Sequence, residues 1–224
     1  MNQAYIVPLL ALALVTTAGY FYGRKKNRWI SGWISREAED VLKPVDSNYV
    51  NFGGTIGYNY VYKLRKPFRE AKGTFTLLPR QSVLYMPISL LVNRYDKFYM
   101  QLFADGKLAG EGHIVASSYL SRAKNAIDGY SGLTREDVDR DGKSYVLLWD
   151  SRGMDEKLKK LLDTVRHPEL LRHFCCYADN KNFFLYLRPV KDKFGEILES
   201  ITAGLKPFYL KGGFSDGPGN ETEN

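Results

Sequence analysis

The chain has 224 residues, a formal net charge of +7, 44% hydrophobic and 14% aromatic side chains, and two cysteines. This composition permits a real core, and the lack of any internal repeat or heptad run excludes a solenoid or a coiled coil. The cysteines are neighbours, Cys175 and Cys176, which excludes a disulfide framework because adjacent thiols bridge only with strain. Reduced thiols agree with a cytoplasmic domain.

Residues 4–22 contain no formally charged side chain. As a helix they would extend about 28 Å, close to the hydrocarbon thickness of a bilayer. The stretch ends in Tyr20, Phe21, Tyr22 and Gly23, then turns basic at Arg24, Lys25, Lys26 and Arg28. A cleaved signal peptide would open with Lys or Arg and close on a small-residue site. Here the first nine residues hold no Lys or Arg, and the weak site at Thr16-Thr17-Ala18 runs into aromatics. A buried core helix has no need of an aromatic collar followed by cations, whereas a membrane boundary does. The reading is a retained single span with its amino terminus outside or lumenal and the rest of the chain cytoplasmic. Arg24, Lys25, Lys26 and Arg28 would bind lipid headgroups.

Residues 29–42 place Trp29, Trp33, Ala38 and Val41 at helical spacing, an amphipathic helix ended by Lys43-Pro44. Gly53-Gly54 is a turn or bulge before a strand in which Tyr58, Tyr60 and Tyr62 alternate with Asn59 and Val61. Residues 71–78 read as its hairpin partner. The next segment, RQSVLYMPISLLVNR, is ambiguous because Pro87 falls where a helix would be interrupted. Residues 97–104 form a strand before the Asp105-Gly106 turn, and residues 113–119 another. A polar stretch, 121–143, leads to the apolar run SYVLLWD, a short buried strand. Residues 155–166 and 168–178 read as two helices, the second opening on Pro168-Glu169. NFFLYLRP is a strand, and residues 194–205 a closing helix with Ile197, Ile201 and Leu205 on one face.

Strands first and helices later predict an α+β fold. A single N-terminal transmembrane helix precedes a cytoplasmic domain of antiparallel strands, with helices concentrated in the C-terminal third. The divisions are an anchor at 1–23, a juxtamembrane basic segment and amphipathic helix at 24–43, a domain at 44–211 with a candidate subdivision near 121–143, and a disordered tail at 212–224.

Motifs that carry chemistry are few. Asp137, Asp139, Asp141 and Gly142 begin like a calcium loop, but the twelfth position is Leu148 where a bidentate Glu is required. The reading is a turn before a strand. His167, His173, Cys175 and Cys176 lie close in sequence. On a helix His173 and Cys176 would share a face while Cys175 points elsewhere, which leaves fewer than the four ligands of a structural zinc site. A phosphate loop, a nucleophile elbow and an H-E-x-x-H helix are all absent from the sequence, so no catalytic residue, metal or cofactor is expected. The hairpin loop KLRKPFREAK concentrates Lys63, Arg65, Lys66 and Arg69. It is a candidate contact for a polyanion or a partner, either ribosomal RNA or lipid phosphate, with a solvated hairpin tip as the plain alternative.

Taken in order, the segments GYFYGRKKNRWISGWISREAEDVL, RQSVLYMPISLLVNR, KFYMQLF, YVLLWDSRGMDEKLKKLL and LLRHFCCYADNKNFFLYL resemble the calumin family, the coiled-coil-containing subunit of the translocon-associated PAT chaperone complex. The similarity is dispersed over residues 10–206. It implies one membrane crossing in this orientation and a cytoplasmic α+β domain beside the protein-conducting channel and the ribosome, assisting the biogenesis of multispanning proteins. It does not extend to the family's acidic lumenal segment or its basic C-terminal helices, so neither a calcium role nor helix-mediated ribosome binding is carried over. The expected function is that of a non-enzymatic accessory protein of membrane-protein insertion, with no small-molecule substrate. The alternatives are a membrane-tethered enzyme and a lipid-binding domain.

Overall fold

The computed structural model describes residues 3–210. The tail expected at 212–224 lies outside the described residues.

Helix α1 (Gln3–Leu42) runs unbroken for 40 residues, about 60 Å at 1.5 Å per residue. It is long and apolar enough to cross a membrane, and only 6% of its apolar window is buried inside the molecule. The oily half is therefore not a core helix: Val7, Leu9, Leu10 and Leu14 all stand exposed. The second half behaves oppositely. Gly23, Asn27, Ile30, Ile34 and Ala38, three or four residues apart, are buried along one stripe. Of the expected stripe through Trp29, Trp33, Ala38 and Val41, Ala38 lies on the buried one and the other three are offset by about one residue. Trp33 and Val41 are half-buried at its margin, while Trp29 is exposed, with the Lys26 ammonium 4.3 Å and the Lys191 ammonium 5.6 Å from its ring. Compact aliphatic side chains allow a helix to approach a sheet, whereas a large indole is accommodated at the edge.

After α1 come β1 (Asp46–Asn51), β2 (Gly57–Lys63), β3 (Phe68–Thr76), α2 (Met86–Asn93), β4 (Lys97–Ala104), β5 (Gly112–Ala116) and α3 (Leu120–Ala123). They are followed by β6 (Thr134–Arg140), β7 (Lys143–Trp149), α4 (Met154–Thr164), β8 (Leu171–Tyr177), β9 (Asn182–Leu187) and α5 (Phe194–Ala203). Among the described residues, nine strands make one antiparallel sheet in the order β1-β2-β3-β4-β9-β8-β5-β7-β6. The α+β class is as expected. The sheet is continuous across residues 121–143, because β5 pairs with β8 on one side and β7 on the other.

Strand β1 is not among the sequence expectations and residues 117–119 are a 3-10 turn rather than strand; three further differences have a plain physical reason. Residues 168–178 are not a helix. Pro168–Leu170 form a single 3-10 turn, and β8 follows. Its two faces are both covered, and a bulge at Arg172 puts Leu171 on the core face with Phe174 and Cys176, so the alternation with His173 and Cys175 is masked by an almost unbroken apolar run, which reads equally as a buried helix. The polar run TREDVDR is edge strand β6, charged as solvent-facing edges tend to be. The turn there is narrower than expected: Asp137 and Asp139 lie on β6, and Asp141-Gly142 alone make the turn, both with positive φ. Pro87 opens α2 rather than interrupting it, since its missing N–H falls in the first turn.

One face of the sheet carries the second half of α1 with α4 and α5. Trp33 meets Phe194 edge-on, and Phe194 meets Phe98 of β4. Helix α5 starts without a side-chain cap of its own, and Glu37 of α1 supplies one by accepting the Gly195 N–H at 2.8 Å. On the opposite face, residues 119–133 cover Val115, Val146 and Leu148. The outer face of β2, β3 and β4 is uncovered, a shallow trough of about 400 Å³ lined by Val61, Lys72, Thr74, Gln101 and Phe184.

Because Ile34 is fully buried where α1 meets the sheet and α5, Ile34→Ala should cost about 2–5 kcal/mol. Chemical denaturation of the detergent-solubilised chain would measure this.

Candidate functional site

The chain's distinctive construction is the junction where the apolar half of α1 becomes the packed half. Two glycines let residues 79–83 approach the helix closely. A Cβ on Gly19 would fall 2.1 Å from Val83 Cγ2, and one on Gly23 would fall 2.1 Å from the Arg80 carbonyl oxygen. One turn further on, Asn27 is completely buried. Its Nδ2 donates to the Leu78 carbonyl at 2.9 Å, and its Oδ1 accepts from Arg80 Nη1 at 3.0 Å. Arg80 also makes a bidentate pair with Asp96, at 2.9 and 2.8 Å, and Asp96 Oδ1 accepts the Leu78 N–H at 2.7 Å. Each polar group in this knot has a partner, as burial requires. The sequence reading missed it; the available signal was a lone amide, Asn27, one turn after Gly23 on the face that continues to Ile30 and Ile34.

The expected headgroup-binding cations surround this junction. Lys25, Lys26 and Arg28 are exposed, and Arg24 donates to the Tyr20 hydroxyl at 2.9 Å, tying cation and aromatic collar together. The same end of the sheet is basic. The antiparallel register aligns the start of β4, the end of β9, the start of β8 and the start of β7, which brings Lys97, Arg188, Arg172 and Lys143 to the end nearest the span. Arg172, Arg188 and Lys143 line a cleft of about 440 Å³ with Ser117, Ser118 and Glu169. Both guanidiniums stand over the Tyr95 ring, at 4.9 and 5.4 Å.

The basic hairpin lies at the other end. Val45 N–H donates to the Lys63 carbonyl just after α1 ends, so the β2–β3 loop is displaced from Asn27 by about 22 Å along the helix axis. That distance separates it from the span-side end and disfavours a contact with lipid phosphate. Its cations also have local partners. Lys63 pairs with Asp46 at 3.3 Å, Lys66 with Asp105 at 3.9 Å, and the Arg69 guanidinium stands 5.4 Å from the Phe103 ring centre. Arg65 is exposed at the tip. The far end of the sheet is otherwise acidic: Glu111, Asp128, Asp150 and Asp179 gather around a recess of about 210 Å³.

The histidine and cysteine cluster is real but composed differently from its sequence expectation. Since β8 is a strand, His173 and Cys175 share a face with each other and with His113 of β5, while Cys176 faces the opposite core. His167 stands apart, bonded to Glu196 at 3.1 Å. His173 Nε2 and His113 Nδ1 are 3.1 Å apart, and His113 Nε2 is 2.8 Å from Glu111 Oε1. The simplest assignment of protons runs His173 Nε2–H to His113 Nδ1, then His113 Nε2–H to the carboxylate. Burial pushes His113 down to about 4 and His173 to about 3, so both rings are neutral and the contact with Glu111 is a hydrogen bond rather than an ion pair. Burial also raises the Cys175 thiol well above its ordinary value, which removes it as a nucleophile. Among the described residues, no three His, Cys, Asp or Glu side chains converge as a metal site would require.

Comparison with models of known protein families and with curated proteins finds no match to this chain.

Two measurements test this account. Gly23→Ala drives a methyl into the Arg80 backbone and should destabilise the junction by about 1–3 kcal/mol. Gly32→Ala, on the open side of the same helix with nothing within 4 Å of its added Cβ, should stabilise by up to about 1 kcal/mol. Trypsin cleavage at Arg80 and Arg94 reports the difference. The second measurement is acid stability. Unfolded histidines take up protons near 6.5, but the folded pair resists until about 4 and 3. The unfolded state therefore binds more protons in that interval, and stability falls with falling pH, by up to about 1.4 kcal/mol per pH unit for each ring. The double variant His113→Gln with His173→Gln should lose this dependence between pH 6.5 and the carboxylate range in urea titrations.

Proposed function

We propose that the chain is a membrane-anchored accessory protein of the membrane-protein insertion machinery, facing the cytoplasm. It would hold a docking domain against the protein-conducting channel or its ribosome and assist the biogenesis of multispanning proteins. The observation that carries this reading is the rigid continuity of α1, whose apolar half and packed half are one helix. A tethered enzyme works on a flexible leash. A docking element needs fixed height and orientation, and the Asn27 knot supplies both.

Charge placement supports the reading. Cations at the span-side end suit the anionic inner leaflet, and the hairpin of Lys63, Arg65, Lys66 and Arg69, held away from the bilayer, would meet a ribosomal or channel partner, with Arg65 exposed at its tip. The uncovered trough of β2, β3 and β4 offers a second docking face. The resemblance to the calumin family over residues 10–206 points the same way.

A photo-reactive residue at Arg65 or Gln101, used in native membranes, should give adducts with channel or ribosomal proteins. Recovery of adducts containing neither class rejects the proposal.

A further inference from the structure

Beside the span the domain carries a second oily element. In residues 79–95 there is no acidic side chain, and Arg80 and Arg94 bracket the apolar run VLYMPISLLV. The run forms the approach to α2 and α2 itself. Leu84, Ile88 and Leu91, spaced four and three apart along one helical face, are 67%, 55% and 80% exposed. Tyr85, Leu90 and Val92 are exposed beside them, and the buried residue of the helix is the small Ser89. A soluble domain does not leave such a patch in water.

The position of the patch identifies its occupant. Val83 touches α1 at Gly19, and residues 81–84 flank a groove of about 460 Å³ whose other wall is Thr16, Thr17, Tyr20 and Phe21 of the apolar half. Gly19 precedes the first cation, Arg24, by five residues, about 7–8 Å along the axis. The approach to α2 is thus level with the end of the hydrocarbon zone, not with the cytoplasm. That is the depth of about 5–10 Å at which interfacial helices lie. The exposed apolar surface of α2 is continuous with that of the span, and Arg94 and Lys97 beside it have the sign that anionic headgroups attract, whereas Arg80 is taken up by Asp96.

We infer that residues 83–92 are a second membrane contact, an apolar wedge laid into the cytoplasmic leaflet alongside the span, with acyl chains and headgroups covering Leu84, Ile88 and Leu91. With the span on one side and α2 on the other, the bilayer holds the rigid unit of α1 and domain at two points and fixes its tilt in the membrane. This inference needs only the span in lipid and stands whether or not the domain docks on an insertion machine.

A nitroxide on Leu91→Cys in the full chain reads the depth directly, in vesicles of phosphatidylcholine with a minority of phosphatidylglycerol. The native thiols are buried, which raises both, Cys176 to about 12, so the label goes to the introduced site. Leu12→Cys in the span and Arg65→Cys at the far hairpin are the references. At Leu91 the label should collide with oxygen more than with a water-soluble nickel chelate, as at Leu12 and opposite to Arg65. Nickel accessibility equal to that at Arg65 would place α2 in water and overturn the inference. Exclusion of both relaxants would also overturn it, because a protein surface, such as a second copy or a transmembrane segment, would then be the occupant.

Discussion

The buried amide of Asn27 is the constraint on which the rest of this structure depends. A helix leaving an apolar phase could enter the domain at any rotation, because its apolar stripe alone tolerates sliding by a turn. A polar group buried on that stripe removes the freedom, since Asn27 must meet the Leu78 carbonyl and the Arg80 guanidinium or lose its hydrogen bonds altogether. Arg80 is in turn held by both oxygens of Asp96 at the entrance to β4. The knot therefore joins α1 to the loop after β3 and to β4 at once. The close approach at Gly19 and Gly23 is possible only in that register.

Fixing α1 against the sheet orders everything else along one axis. Antiparallel pairing then assigns each strand terminus to one of two ends. Arg172, Arg188, Lys97 and Lys143 fall at the end nearest the span; Glu111, Asp128, Asp150 and Asp179 fall at the far end, together with the basic hairpin. The two ends of the domain therefore differ in charge: cations predominate at the near end, while carboxylates and the hairpin cations share the far one. The helix with the exposed apolar half also caps α5 through Glu37, so one element links that apolar segment, the sheet and the closing helix.

Inside the sheet, burial sets the protonation of the titratable groups. His113 and His173 stack with ring centres 5.3 Å apart, and burial holds both neutral. The two rings form a hydrogen-bonded chain ending at Glu111, whose own carboxyl is raised by burial and by the neighbouring Asp150, Asp128 and Asp179. They sit between strands of a closed core, and their protonation state bears on how the fold responds to acid.

By itself the sequence determined those properties that a short window can hold. These are the apolar span and its basic exit, the alternation of Tyr58, Tyr60 and Tyr62 in β2, the strand at residues 97–104, the amphipathic α4 and α5, and hence the α+β class. Tertiary structure alone decided whether residues 171–177 were helix or strand, because covering both faces erases periodicity. It also decided that the polar residues 134–140 pair as an edge, that His113 joins His173 from 60 residues away, and which side of α1 faces the sheet. The cations of the hairpin were legible as a cluster, but their distance from the span and their pairing with Asp46 and Asp105 were not. The physical reason is common to all of these. Local pattern records which side chains prefer water, whereas burial on two faces, ion pairing and the union of distant strands depend on neighbours that the chain meets only once it has folded.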